Sequence, residues 1–303
     1  MNSRRELKVG IVGHGFVGKA TDWGFSKRTN KLIIDPIYNT NIQQLSKFKP
    51  DLIFVCVPTP MCNNGVQDSS IIESVVEEIT IQCNDSIVVI KSTVLPSTLK
   101  KLEKFNEDLI YNPEFLREKN AKDDFMNAEM IILGGKKNIA EKVSKFYLDH
   151  SRCKTRDHIF MDIASASLLK YSINTFLASK VIFFNEIYEI FEKIGIDDSW
   201  ELFRNALVRD KRIGKSHMDV PGHDGKKGFG GACFPKDSLA FVKFAQSIGL
   251  ELDVLKSVIR KNNEIRSQYD SLDDREKQQN ISFDDKIWRY CPGGEIGRHK
   301  GLK

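Results

Sequence analysis

The sequence predicts an α/β protein: a mostly parallel sheet built by β-α-β succession, followed by a helical domain organised on one long helix. Three observations carry this. An apolar strand runs straight into Gly13-His14-Gly15-Phe16-Val17-Gly18 and a helix. Short apolar strands and amphipathic stretches then alternate through the first half, and beyond residue 161 the apolar spacing becomes helical.

Leu7-Lys8-Val9-Gly10-Ile11-Val12 reads as the first buried strand, and the helix after the glycines runs to about Lys27. In the GxGxxG pattern the first glycine permits a tight turn, the second lets backbone approach a pyrophosphate, and the third allows close helix packing. A second strand, Lys31-Leu32-Ile33-Ile34, ends at Asp35. A carboxylate there accepts hydrogen bonds from ribose hydroxyls and repels a 2′-phosphate, which favours NAD over NADP. This half is therefore expected to be a Rossmann-type NAD-binding domain over residues 1–160.

Residues 51–57 form an apolar strand that breaks into Pro58-Thr59-Pro60; 69–82 form an amphipathic helix with Asp68 as its N-cap; 86–90 form a buried strand followed by Lys91-Ser92-Thr93. In a parallel sheet, ligand groups sit at the carboxyl ends of strands. Taken singly, Thr59 and Ser92 read as strand-end caps; taken together, they read as cofactor contacts. Leu109-Ile110-Tyr111 leads into Asn112-Pro113-Glu114-Phe115-Leu116-Arg117-Glu118. A glutamate at a strand end beside a proline and a phenylalanine can orient water, with basicity raised by partial desolvation, although most glutamates in loops are simply solvated.

After a strand at 158–161, one helix is expected from about 164 to 194, stopping before Gly195. Lys170 and Asn174 lie four apart and share a face. A short helix follows at 200–208, then the charge run Arg209-Asp210-Lys211-Arg212, which as such is usually a solvated face. Helices are also expected at 235–248 and 251–266. Residues 161–268 are thus assigned to a helical central domain and 269–303 to an irregular tail, of which 271–286 is charged, poor in apolar residues, and read as disordered or a frayed helix.

Ahead of the helix at 235 lies Gly228-Phe229-Gly230-Gly231-Ala232-Cys233-Phe234-Pro235-Lys236-Asp237. An arbitrary cysteine is more often a buried structural one. Here the glycines let backbone pass close to a ligand, and Lys236 favours the thiolate, the nucleophilic form.

Bulk properties narrow the field. The formal charge of +5, from 46 basic against 41 acidic residues, suits anionic small molecules and falls short of a nucleic-acid footprint. Six cysteines, at 56, 62, 83, 153, 233 and 291, show no CxxC spacing, so free thiols in a reducing compartment, the cytoplasm, and no metal site are expected. The amino terminus lacks the apolar core of a signal peptide. The most apolar helical stretch, 175–191, is interrupted by Lys180, Asn185, Glu186 and Glu189, so no membrane span is expected.

The decapeptide around Cys233 resembles the active-site loop of the nucleotide-sugar dehydrogenase family, which includes the UDP-glucose and GDP-mannose 6-dehydrogenases. Asn112-Pro113-Glu114-Phe115-Leu116 and Leu169-Lys170-Tyr171-Ser172-Ile173-Asn174-Thr175-Phe176 are similar to two further family segments. The resemblance implies that Cys233 is the nucleophile and Asp237 its helper carboxylate. Lys170 and Asn174 would hold the oxygen at the reacting carbon, and Glu114 would direct water onto a thioester. It implies a cofactor site of Gly13, Gly15, Phe16, Val17, Gly18 and Asp35, with Pro58, Thr59, Ser92, Thr93, Glu118 and Lys236. A sugar site would use Phe115, Leu116, Arg117, Phe229, Gly230 and Gly231. Arg212, in Arg-Ile-Gly, would reach into a neighbouring subunit of a homodimer formed through the central domain.

The implied reaction is NAD-dependent four-electron oxidation of UDP-glucose to UDP-glucuronate. GDP-mannose or a UDP-N-acetylhexosamine is the alternative substrate, and an NAD-binding remnant without turnover is the alternative protein. That last reading arises because the resemblance covers residues 7–266, whereas family members continue into a further nucleotide-gripping domain. The change of character over 288–303 is expected to mark a truncated frame running into unrelated sequence. Three departures from the family pattern stand out: Lys119 for a glycine, Ser167 for a glutamate, and Leu95-Pro96-Ser97-Thr98 after the second cofactor segment.

Overall fold

Runs that are apolar at every position become the middle of a sheet. The computed structural model describes residues 6–25, 29–117 and 120–284. In it β3 (Leu52–Val55) and β4 (Ile87–Ile90) lie inside a seven-stranded sheet, with β1 (Leu7–Val12) and β2 (Thr29–Ile34) on one side of them. β5 (Ile110–Tyr111), β6 (Ile131–Gly134) and β7 (His158–Met161) continue on the other. The order is β2-β1-β3-β4-β5-β6-β7, parallel throughout except for the β5–β6 pair. The chain leaves β1 for β2 and then returns to β3 on the opposite side of β1. That reversal opens a crevice at the carboxyl ends of β1 and β3, where Val12 is in register with both Ile34 and Val55.

Period-two alternation gives the strands two buried faces. Ile53, Val55, Val88 and Ile90 pack against α2 (Gln43–Phe48), α3 (Ser70–Gln82) and α4 (Pro96–Phe105) through Leu45, Ile72, Val76, Ile79, Leu99 and Leu102. Leu52, Phe54 and Val89 face the other way, onto α1 (Phe16–Gly24), α5 (Ala121–Met126) and α6 (Lys137–His150). Helices α2, α4, α5 and α6 were absent from the expectations above. The cap of α3 also differs: Ser69 occupies the N-cap position, and Asp68 reaches over it to accept from the Ser70 N–H at 2.9 Å.

The chain divides into two compact units, Met1–Thr59 with Asp68–Ser172, and Pro60–Gln67 with Ile173–Lys303. Helix α7 (Ile163–Lys193) starts in the first and supplies the second with Ala178 and Ile182, which form a core with Phe229 and Ile265. The second unit adds α8 (Trp200–Leu207), α9 (Phe234–Ser247), α10 (Asp253–Arg266) and α11 (Asp274–Gln278). Helix α11 lies in the charged stretch expected to be disordered or a frayed helix, and is the helical outcome of the two. Asp273 and Glu276 form a reciprocal capping box, and Glu276 is only 1% exposed, paired with Arg266. Among the described residues no helix is long and apolar enough to cross a membrane.

Candidate active site

At the carboxyl end of β1, Gly13 has φ +87°, and a Cβ there would lie 2.7 Å from the Cys56 carbonyl oxygen. A Cβ on Gly18 would lie 2.0 Å from the Gly13 oxygen, so helix and turn touch backbone to backbone. Gly15 behaves differently: a Cβ there would meet nothing within 4 Å. This is the open side from which a pyrophosphate can approach the amino end of α1, where the helix dipole favours anions. Phe16 is half-buried in the first turn, and Val17 packs into the core. Asp35 is fixed by accepting from the backbone N–H groups of His14 (2.6 Å) and Ile37 (3.0 Å). A tight glycine turn, an open backbone face and a held carboxylate fit a dinucleotide.

The neighbouring strand ends are tied together. Thr59 donates to the Thr93 carbonyl at 3.0 Å and Ser92 to the Val57 carbonyl at 2.6 Å, so both hydroxyls act as strand-end caps. Their lone pairs remain for a ligand. Pro58 is exposed beside them, and Glu118 lies outside the described residues. Ser167 is fully buried and donates to the Val94 carbonyl at 2.6 Å, anchoring α7 behind the β4 end.

Beneath these ends sits a polar cluster that sequence reasoning missed. Lys91, wholly buried, donates to Asn112 Oδ1 at 2.8 Å and to the Tyr147 hydroxyl at 3.3 Å. Asn112 also accepts from the Tyr147 hydroxyl at 2.6 Å and donates to the Ile132 carbonyl at 2.8 Å. Burial pulls the Lys91 pKa below its ordinary value and pushes the Cys56 thiol up to about 12, which makes Cys56 a neutral core group. The cluster fixes the start of the Asn112-Pro113-Glu114 turn. Glu114, half-buried, accepts from the Leu116 N–H at 2.6 Å, while its carbonyl accepts from Lys170. The Lys170 ammonium also lies 4.9 Å from the centre of the Phe115 ring. Leu116 packs against the core, and Arg117 is exposed in a pair with Asp124.

In the second unit Cys233 is the N-cap of α9 and half-buried, at the end of the helix that attracts negative charge. One turn on, the buried Asp237 accepts from Asn174 Nδ2 at 2.7 Å and from Lys236 Nζ at 2.6 Å. Lys236 is thus engaged by its neighbour. Phe229 is a core residue whose N–H and carbonyl both bond Asn262, at 2.7 and 3.0 Å. Gly230 and Gly231 follow in the loop, the latter with φ +76°. Arg212 is 88% exposed and chelated by Asp210 within its own turn. Asn185, noted in the sequence only as a polar break in an apolar helix, and Asn262, Arg266 and Glu276, which went unremarked there, hold this loop. The pattern Asp273-x-x-Glu276 was a legible signal for the last of them. No group of His, Cys, Asp and Glu that could hold a metal occurs among the described residues.

Residues 40–149 match the NAD binding domain of the UDP-glucose/GDP-mannose dehydrogenase family, and residues 164–264 match its central domain. The chain belongs to the UDP-glucose/GDP-mannose dehydrogenase family. Its fold is the family's α/β fold, and its cofactor is NAD. It is 32% identical over 284 residues to the UDP-glucose 6-dehydrogenase of Rickettsia bellii, covering 85% of this chain and 63% of that protein. To the Bacillus subtilis UDP-glucose 6-dehydrogenase TuaD it is 28% identical over 302 residues, again covering 63% of the relative. A UDP-glucose dehydrogenase structure from Pyrobaculum islandicum superposes with a TM-score of 0.74 at 26% identity, over 87% of this chain and 69% of that one. The chain therefore spans less than two thirds of the length of the Rickettsia and Bacillus relatives.

Proposed function

We propose that this family member oxidises the C6 alcohol of UDP-glucose to the carboxylate of UDP-glucuronate by way of a thioester on Cys233. The observation that carries the reading is the arrangement at the head of α9: a half-buried thiol at the helix end, with Asp237 one turn on, fixed by Asn174 and Lys236. NAD, when bound, accepts a hydride at each of two oxidations. Gly13, Gly15, Gly18 and Asp35 would hold it, assisted by Thr59 and Ser92.

By the family resemblance, Lys170 and Asn174 stabilise the oxygen at the reacting carbon, and Lys170 and Asp237 hold the water through which the alcohol proton leaves. Cys233 then attacks the aldehyde carbon. After the second oxidation, water directed by Glu114 cleaves the thioester and frees the thiol. One alcohol, two NAD and one water give one carboxylate, two NADH and the balancing protons. UDP-glucose is favoured because the relatives at 28–32% identity carry that name.

The same reading makes the protein a cytoplasmic homodimer. Phe176, Phe183 and Ile190 are exposed at seven-residue spacing on α7, an apolar stripe suited to a second copy. In such a dimer Arg212, freed from Asp210, would reach the partner's sugar site.

The alternative is an NAD-binding protein without turnover. Absorbance of NADH on mixing the chain with NAD and UDP-glucose separates the two. Two NADH per sugar are expected, with acid formation abolished in Cys233→Ser. Uronic acid at wild-type yield from that variant would exclude the cysteine, and NAD binding without turnover on any nucleotide sugar would leave only the alternative.

A further inference from the structure

We infer that Glu276 is a positioning residue for the nucleophile, anchoring the backbone two residues ahead of Cys233. The inference rests on the reading of Cys233 as nucleophile, and the geometry behind it is independent of any substrate. Three N–H groups of the glycine loop end on buried side-chain acceptors. Gly228 donates to Asn185 Oδ1 (2.9 Å), Phe229 to Asn262 Oδ1 (2.7 Å) and Gly231 to Glu276 Oε1 (2.9 Å). Only the last acceptor is charged, and it is the one nearest the cysteine. It is also supplied from beyond residues 164–264, the stretch matched by the family's central domain.

Glu276 is itself held on every side. Its Oε1 lies 3.1 Å from Arg266 Nη2, its Oε2 accepts from the Asp273 N–H at 2.8 Å, and Arg266 Nη1 is 2.7 Å from Asp224. The guanidinium, 2% exposed, lies near the rings of Tyr269 and Phe283. The loop rests directly on this pair. A Cβ at Gly230 would lie 2.0 Å from Arg266 Nη2 and 2.5 Å from Glu276 Oε1, so only glycine lets the backbone come this close. A charged acceptor with a fixed position makes the stronger kind of hydrogen bond. The anchor thereby fixes the peptide at 230–231 and, through Ala232, the entry of Cys233 into α9.

Amide hydrogen exchange and steady-state kinetics on the full chain test this, with Glu276→Ala and Glu276→Gln. Glutamine keeps a carbonyl acceptor for the Gly231 N–H; alanine does not. In Glu276→Ala, exchange at Gly231 is expected to rise about ten-fold, the scale of one net hydrogen bond to a charged group, with exchange inside α6 unchanged. Acid-forming kcat should fall by a similar factor at unaltered NAD affinity, and Glu276→Gln should recover most of both. Exchange at Gly231 unchanged in the alanine variant, faster exchange with kcat untouched, or no recovery by glutamine would each overturn the inference. Should the alanine variant not fold, the wild-type Gly231 amide decides: protection like that of Phe229 sustains the anchor, and exchange at the rate of a free loop amide overturns it. If the wild-type chain turns over no sugar, the proposed function fails while the exchange comparison still decides the anchor.

Discussion

Replacing Asn112 by leucine, which has the same number and branching of side-chain heavy atoms, should be among the most damaging single changes in the NAD-binding unit. The side chain serves three partners at once: the Lys91 ammonium, the Tyr147 hydroxyl and the Ile132 carbonyl. Without it, Lys91 keeps the tyrosine hydroxyl and a long 3.4 Å approach to the residue-112 carbonyl, with no carboxylate bonded to it. Stranding a buried charge and orphaning a buried carbonyl together cost about 4 kcal/mol. For a unit of this size that lowers Tm by about 8–16 °C. The companion change has the opposite character. Lys91→Met removes the charge and leaves Asn112 bonded to Tyr147 and Ile132, so it should cost less, and added to Asn112→Leu it should restore at least half of the lost stability. Urea unfolding followed by far-ultraviolet circular dichroism measures all four corners of this cycle. An Asn112→Leu protein within about 1 kcal/mol of wild type, or a double variant no more stable than Asn112→Leu alone, would refute the reasoning.

Burial lowers the His158 pKa below its ordinary 6.5. Between those values the unfolded chain binds a proton that the folded chain refuses, so stability is lost as pH falls below about 6.5. The urea midpoint of His158→Gln should change less between pH 6.5 and 5 than that of wild type, and equal slopes would contradict this. Phe183→Glu, which puts a charge in the middle of the apolar stripe, should convert a dimer to a monomer by sedimentation equilibrium. A monomeric wild-type protein would remove the basis for that stripe's proposed role.

The sheet was legible because its central strands are apolar at every position, and the glycine turn because its spacing has one mechanical reading. Helix α4 was not, even though Pro96 at its first turn is a start signal, since that stretch drew notice only as a departure from a family motif. In the site, the thiol loop with Asp237 behind it and the shared helical face of Lys170 and Asn174 could be read in local sequence, whereas the roles proposed for them come from the family resemblance. Lys91 could not: a lysine is ordinarily solvated, and only the fold shows that its strand end is covered by α6. Lys236 illustrates a different limit. Next to Cys233 in sequence its charge reads as favouring the thiolate, and only the fold shows that its ammonium is also paired with Asp237 at 2.6 Å. Glu276 was obscured by its company, for a charged and apolar-poor stretch looks disordered until one of its charges is seen to be buried.

The short stretch Pro60–Gln67 interrupts the first unit in sequence yet belongs to the second. Met61 packs with Leu239 and Ile281, its N–H reaches the Gln279 carbonyl at 3.3 Å, and its carbonyl accepts from Asn280 at 3.1 Å. During synthesis, then, residue 61 leaves the ribosome 219 residues before Asn280 does. The sheet on either side of it can pair early, but this excursion stays unfinished until the last described helix has been made. Contacts so distant along the chain form late and slowly. A nascent chain halted after α7 would carry an apolar methionine with nothing to cover it, a handle for chaperones or for aggregation.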